Sequence, residues 1–241
     1  MVEDMVEGAA TREQNKKKGG HGSALLFELE NVAVEGRKIT FDILRSLLSE
    51  GDAKITRELY MRHCLRSLPQ QFLPALLKAA GRKKLAADRL AEEIREGIGL
   101  SLTDGSVQIR PCVGKLLADA RVRNLSVGTL TSLDQEVAER LMTKLGLDAA
   151  DVTLLSSSAN DRDFPTADAW LKLAKSVAVA PVGCTVLATS LTSTRAALSA
   201  GMRCIGMPDE FTSFQDFSGA DMVIEQLSDE AQEQILSFVA Q

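Results

Sequence analysis

The pattern of apolar and polar positions divides the chain into a polar start, a helical block and a long alternating part. The run ALLFEL, which begins at Ala24, is short and apolar and predicts a buried strand. From Ile39 to about Gly105, apolar residues recur at spacings of three and four, which predicts a block of amphipathic helices. Strand-like and helical segments then alternate to the end, a pattern typical of a parallel sheet with helices on both faces.

The alternating part contains further strand-like runs, LSVGTL, VTLLSS, CTVLAT and RCIGMP, which are separated by helical segments. Gly146 and Gly201 are predicted to end two of these helices, because glycine is favoured just past a helix C-terminus. Since the first strand precedes the helical block and the other strands follow it, the block is predicted to be an insertion into one α/β core. We therefore predict a disordered polar tail over residues 1–22, a core over residues 23–37 and 108–241, and a helical cap over residues 38–107.

Composition argues against several functional classes. The 241 residues are 45% hydrophobic, which is enough for a full core, and the net charge of -5 with a pI near 5.2 argues against a nucleic-acid partner. No apolar run approaches the roughly 18 residues needed to cross a bilayer, so we expect a soluble, cytoplasmic protein without a membrane partner. The four cysteines are far apart and only two histidines are present, which predicts buried free thiols rather than a zinc site.

The ends of the predicted strands are the positions where a parallel sheet would bind a ligand. Glu28 and Glu30 stand at the first strand end, where two carboxylates could form a general acid and base pair. The other strand ends are rich in hydroxyl groups and carry no lysine. They are Thr129 and Thr131 after the second strand, the loop SSSANDRDFP after the third, and Ala188, Thr189 and Ser190 after the fourth.

Three stretches of the chain together resemble a known family. They are LLFELENVAVEG, RPCVGKLL and TADAWLKLAKSVAVAPVGCTVLATSLTSTRAALSAGMRCIGMP. In this order they resemble, from about Ala24 to the C-terminus, the haloacid dehalogenase-like (HAD) hydrolases with a helical cap after the first strand, such as the phosphoglycolate phosphatase and β-phosphoglucomutase relatives. The resemblance implies a doubly wound parallel sheet, that is, a Rossmann-like core, with an inserted α-helical cap.

The resemblance also implies where the family's phosphatase chemistry would lie. Glu28 stands where the family has its nucleophilic aspartate, and Glu30 stands where it has the general acid/base aspartate. Thr129 corresponds in kind to the hydroxyl that binds phosphate at the end of the second strand. Both aspartates are therefore replaced by a longer carboxylate, while the hydroxyl is kept.

Two further positions depart from the family pattern. Phe164 falls where the family has the lysine that neutralises phosphate and nucleophile, and Ala188 and Thr189 fall on the acidic pair that helps to hold Mg²⁺. We interpret the chain as a pseudoenzyme on a phosphatase scaffold, which binds or regulates without turnover and keeps Glu28 and Glu30 as remnants. No cofactor is expected, and Mg²⁺ is expected only if residual activity exists.

Several alternatives remain open at this point. The chain could be a weak or altered phosphatase acting on a small phosphorylated metabolite, or the glutamates could form a metal-independent acid and base pair. Arg162 could bind phosphate in place of the lost lysine, and Lys172 or Lys175 would need checking if Phe164 is not at the lysine position. The ligand could be a small phosphorylated molecule or a protein partner.

Overall fold

The core of the protein is a six-stranded sheet in which all neighbouring strands are parallel. The computed structural model describes residues 22–48, 55–65, 68–82, 85–156 and 164–241, so the predicted tail lies, except for Gly22, outside the described residues. The strands are β1 (Ala24–Glu28), β2 (Ser126–Thr131), β3 (Thr153–Ser156), β4 (Cys184–Ala188), β5 (Arg203–Gly206) and β6 (Met222–Val223).

The strand order, β3-β2-β1-β4-β5-β6, places the first strand in the middle of the sheet. The chain builds outward from β1 through β2 to β3, and then returns to the other side of β1 with β4. Strand order therefore reverses between β1 and β4, and the crevice outside the carboxyl ends of these two strands is where such sheets bind ligands. This arrangement confirms the predicted doubly wound α/β fold.

In the described ranges, nine α-helices surround the sheet or form the insertion. They are α1 (Gly36–Leu47), α2 (Arg57–His63), α3 (Pro69–Ala79), α4 (Ala87–Thr103), α5 (Pro111–Val122), α6 (Gln135–Lys144), α7 (Ala167–Ser176), α8 (Leu191–Ser199) and α9 (Asp229–Val239). In the ranges that the structure describes, no helix combines the length and the apolar character needed to cross a membrane.

Local sequence signals explain where several helices begin and end. The hydroxyls of Thr166, Ser190 and Ser228 accept hydrogen bonds from backbone N–H groups in the first turns of α7, α8 and α9. The predicted glycine stops after α6 and α8 are confirmed, because Gly146 and Gly201 have φ angles of 69° and 71° just past these helices.

The two faces of β1 are covered by different sets of helices. Leu25 and Phe27 pack into a core with residues of α5, α6 and α9, whereas Leu26 packs on the opposite face with α7 and α8. Trp170 of α7 is fully buried on this second face. Because side chains alternate along a strand, an uninterrupted apolar run is what a strand covered on both faces requires.

The cysteines are reduced thiols in the structure. Cys64, Cys184 and Cys204 are buried and Cys112 is half-buried, and none is paired in a disulfide. Burial raises the pKa of Cys184 to about 11, and that of Cys64 and Cys204 to about 12. These three thiols are therefore inert apolar packing groups, as the sequence predicted.

Helices α1 to α4 form a cap with its own apolar core. Its interior includes Leu44, Tyr60, Leu73, Leu76, Leu90 and Ile94. The same interior also contains Phe211, which comes from the loop after β5 and is 3% exposed. The ring of Phe211 lies 5.6 Å from that of Phe41 and 5.1 Å from that of Tyr60, measured between centroids. Phe211, which belongs to the α/β core by its place in the chain, therefore packs inside the cap.

Charged contacts reinforce this anchor on both sides. Arg37 of α1 donates to the Asp209 carboxylate at 2.5 Å, and Arg57 of α2 donates to the Glu210 carboxylate at 2.6 Å. The Arg57 guanidinium also lies 4.8 Å from the centre of the Phe211 ring, within the range of a cation–π contact. The loop from Asp209 to Phe211, which we call the latch loop, thus joins the core to two cap helices.

Replacing Phe211 by alanine should strongly destabilise the protein. Truncating a buried phenylalanine typically costs about 3–5 kcal/mol, and here the loss falls on the contact between cap and core. Phe214, in the same region, is 60% exposed, so Phe214→Ala should change the free energy of unfolding by less than about 0.5 kcal/mol. Chemical denaturation of both variants measures the difference, and equal effects would contradict the anchoring role.

Candidate functional site

Glu28 ends β1 at the point where strand order reverses. Its side chain is only 3% exposed. Asn31 Nδ2 donates to one carboxylate oxygen at 3.1 Å, and the Thr189 hydroxyl donates to the other at 3.4 Å. Both contacts come from neutral groups, so the carboxylate of Glu28 is hydrogen-bonded but has no ion-pair partner among the described residues.

Glu30 follows in a single turn of π-helix, Leu29–Ala33, which carries the chain from β1 toward the cap. One oxygen of Glu30 accepts hydrogen bonds from the hydroxyl of Thr131 at 2.7 Å, the backbone N–H of Ser132 at 3.1 Å and the hydroxyl of Ser132 at 3.3 Å. Burial raises the pKa of this carboxyl, and the nearby charge of Glu28 raises it further, while the hydrogen bonds from the Thr131 hydroxyl and the Ser132 backbone oppose the shift. Glu30 therefore holds its proton to higher pH than an exposed glutamate.

Arg37 brings a positive charge close to Glu28. Helix α1 begins at Gly36, whose backbone packs directly against the turn that holds Glu30. A Cβ at this position would lie only 2.4 Å from the Glu30 carbonyl oxygen, so the close approach requires glycine. The next residue, Arg37, is 9% exposed, and it donates to the Thr189 hydroxyl at 3.0 Å as well as to Asp209. Thr189 therefore links the Arg37 guanidinium to the Glu28 carboxylate.

A cavity of about 180 Å³ lies above these residues, between the sheet and the cap. Its floor is polar and includes Glu28, Glu30, Asn31, Arg37, Ser132 and Ser190. Its walls are mostly apolar and include Leu65, Phe72, Ile98, Leu102, Val137 and Phe164. The cavity therefore places a charged floor beneath an apolar enclosure, which is a common design of small-molecule sites.

Comparison with known proteins identifies the fold. No family model matches the chain. Protein CbbY of Cereibacter sphaeroides is 26% identical over 132 residues, which make up 53% of this chain and 57% of that protein. A CBBY-like protein of Arabidopsis thaliana is 25% identical over 232 residues, 88% of this chain and 71% of that protein. The crystal structure of a haloacid dehalogenase-like protein from Agrobacterium tumefaciens matches with a TM-score of 0.72 at 20% identity, covering 92% of this chain and all of that chain.

The chain has a HAD-like fold with a helical cap. The resemblance drawn from its motifs is thereby confirmed for the fold. The match to CbbY spans little more than half the length of that protein, 57%.

The structure places the Thr129 hydroxyl away from the cavity, unlike the prediction from the resemblance. Thr129 lies inside β2, is fully buried, and donates its hydroxyl to the Phe27 carbonyl at 3.2 Å, so it does not line the cavity. The strand continues to Thr131, and it is Thr131 and Ser132 that present hydroxyls to Glu30. The family resemblance indicated Thr129 as the strand-end hydroxyl, whereas pairing with β3 continues to Thr131.

The structure also places the residues that were considered for the lysine position. Phe164 lines the cavity, so an apolar ring occupies this wall. Arg162 lies outside the described residues. Lys172 pairs with Asp168 on the exposed side of α7, and Lys175 is exposed on the same helix; neither lines the cavity.

The residues at the end of β4 do not fit the Mg²⁺ that HAD-like enzymes use. Mg²⁺ requires near-octahedral oxygen coordination with well-placed carboxylates. Ala188 offers only a buried methyl group, and the Thr189 hydroxyl is shared between Arg37 and Glu28. Within the described ranges, no group of three or more histidine, cysteine, aspartate or glutamate side chains could hold a metal ion.

Sequence reasoning missed Arg37 and Asp209. Asp209 comes directly after the RCIGMP strand, so the strand-end rule that identified Glu28 could also have identified it. Arg37 gave a weaker signal, because it lies in a polar stretch and is placed by the close approach of Gly36 to Glu30. Thr131 had been considered at the strand end, but Ser132 had not.

Replacing Glu30 by glutamine should make the protein more stable at neutral pH relative to the wild type. A carboxyl with a raised folded pKa stabilises the folded state below its unfolded pKa, near 4.5, and loses this contribution as the pH rises through the folded pKa. Glutamine keeps the acceptor oxygen and cannot ionise. The difference in unfolding free energy, Glu30→Gln minus wild type, should therefore increase as the pH rises from 4.5.

Urea denaturation at a series of pH values measures this difference. Glu96→Gln is a suitable control, because Glu96 is exposed on α4 and should show no comparable trend. A Glu30→Gln curve parallel to that of the wild type would contradict the raised pKa.

Proposed function

We propose that the chain is a non-catalytic binding or regulatory protein built on a phosphatase-type HAD-like scaffold. The observation that carries this proposal is the position of the Arg37 guanidinium, which bonds to Thr189 at the end of β4 and to Asp209. A fixed protein cation here stands beside the position where the family resemblance expects a metal. Together with Ala188, it leaves this end of the sheet unsuited to Mg²⁺ chemistry.

The glutamates support the same proposal. Replacing aspartate by glutamate moves a carboxylate oxygen by about 1 Å, and a misplacement of that size can cost about 10²-fold in rate. Glu28 is also held by Asn31 and Thr189, which use both of its oxygens. Its carboxylate is thus engaged in the fold rather than directed as a nucleophile.

Phe164 stands where the family resemblance expects a lysine, so a positive charge that would assist phosphoryl transfer is missing. Removing a single group that stabilises charge on the transferring phosphoryl group typically lowers the rate by about 10²- to 10³-fold. Phe164 supplies no charge and adds apolar surface to the cavity. The losses do not multiply, since such residues act as a unit, but each falls on a different part of the chemistry.

One observation favours a second candidate, a weak or altered hydrolase. Glu30 has a raised pKa and lines the cavity beside Glu28, so the pair has the features of a general acid and a base or nucleophile. This candidate requires turnover that depends on both glutamates.

Hydrolysis of an aryl phosphate and of an acyl phosphate, with and without Mg²⁺, distinguishes the two candidates. We expect the purified protein and its Glu28→Ala variant to show the same background rate for both substrates. Glu96→Ala, which changes an exposed residue far along α4, serves as a preparation control. A rate that requires Glu28, in either metal condition, would contradict the non-catalytic proposal and establish the hydrolase.

A further inference from the structure

We propose that the cavity between the sheet and the cap binds a small apolar molecule that carries a protonated amine, rather than a phosphate ester. This inference rests on the proposed function, since it assigns a ligand class to the same site. The charges, the walls and the size of the cavity each support it.

Glu28 has no direct ion-pair partner among the described residues, because Arg37 reaches it only through the Thr189 hydroxyl. Glu28 is only 3% exposed. In the part of the chain that the structure describes, its carboxylate accepts hydrogen bonds but forms no ion pair. A buried charge is costly unless it is paired as well as hydrogen-bonded. An ammonium group from a ligand supplies the missing charge.

The arginines that line the cavity are already paired elsewhere. Arg37 pairs with Asp209 and Arg95 pairs with Glu92, neither of which lines this cavity. Glu28, Glu30 and Asp134 add three lining carboxyl groups. The described lining is therefore electrostatically suited to a cation and repels an anion such as phosphate.

The walls suit an apolar body attached to that cation. Phe72 and Phe164 contribute aromatic rings, and the face of an aromatic ring attracts an ammonium group as well as apolar carbon. An apolar cavity of about 150 Å³ is known to hold benzene. The present cavity, at about 180 Å³, has room for one ring and a short amine arm.

A matched series of ligands tests the inference directly. Benzylamine, benzyl alcohol and benzyl phosphate share one ring and differ in the charge of the attached group. We expect benzylamine to raise the unfolding temperature and, by calorimetry, to bind at least tenfold more tightly than benzyl alcohol, with no binding of benzyl phosphate. Benzyl alcohol binding equally well, benzyl phosphate binding more tightly, or no binding of benzylamine would each overturn the proposal.

Two variants locate the binding at the cavity. Glu28→Gln preserves the shape of the side chain and removes its charge, so benzylamine affinity should fall by about tenfold or more. Phe164→Lys places a cation in the wall and should abolish benzylamine binding while permitting benzyl phosphate to bind. Phe214→Lys, at a residue that is 60% exposed, is the matched control and should bind benzylamine as the wild type does. Benzylamine affinity unchanged in both cavity variants would place the site elsewhere and overturn the proposal.

The two proposals fail in different measurements. Turnover that depends on Glu28 would overturn the non-catalytic function, whatever the binding series shows. Absence of amine binding, with no turnover, would overturn only the ligand class. Mg²⁺ alone serves as the competing cation in the binding series, and stabilisation by Mg²⁺ that is lost in Glu28→Gln would overturn the amine assignment.

Discussion

The ion pair between Arg37 and Asp209 is the interaction on which the arrangement of this protein depends. It joins the first cap helix to the loop after β5, and the same guanidinium bonds to Thr189 at the end of β4. Three segments that are distant in the chain are thus held at one point beside Glu28. Since Arg37 is almost fully buried, its charge acts in surroundings where pairing matters more than it does at the surface.

The latch loop extends this constraint from the floor of the cavity to the interior of the cap. Phe211 fills part of the cap core, while Asp209 and Glu210 pair with arginines of two cap helices. The cap and the sheet are therefore packed as one unit around the cavity in this structure. A HAD-like fold is here combined with a cavity floor that carries two glutamates and a paired arginine.

The sequence predicted the fold well because the periodic patterns are strong and continuous. The apolar run before Glu28, the helical spacing of the cap and the alternation that follows all depend on local burial, which a single sequence records directly. The site was predicted in part. Glu28 and Glu30 follow from the strand-end rule, but the resemblance indicated Thr129 rather than Thr131, since the last residue of a strand is set by pairing with its neighbour. Arg37 could not be located, since its position results from a backbone contact between Gly36 and Glu30.

The shared hydrogen bonds of Thr189 also limit which substitutions the site can accept. Placing a carboxylate at position 188 or 189 would put it next to the Arg37 guanidinium, where an ion pair forms more readily than a metal site. Removing Arg37 first would leave Asp209 without its cation and loosen the latch loop. Building a metal-binding carboxylate into this end of the sheet would therefore require coordinated changes on separate segments, each unfavourable when made alone.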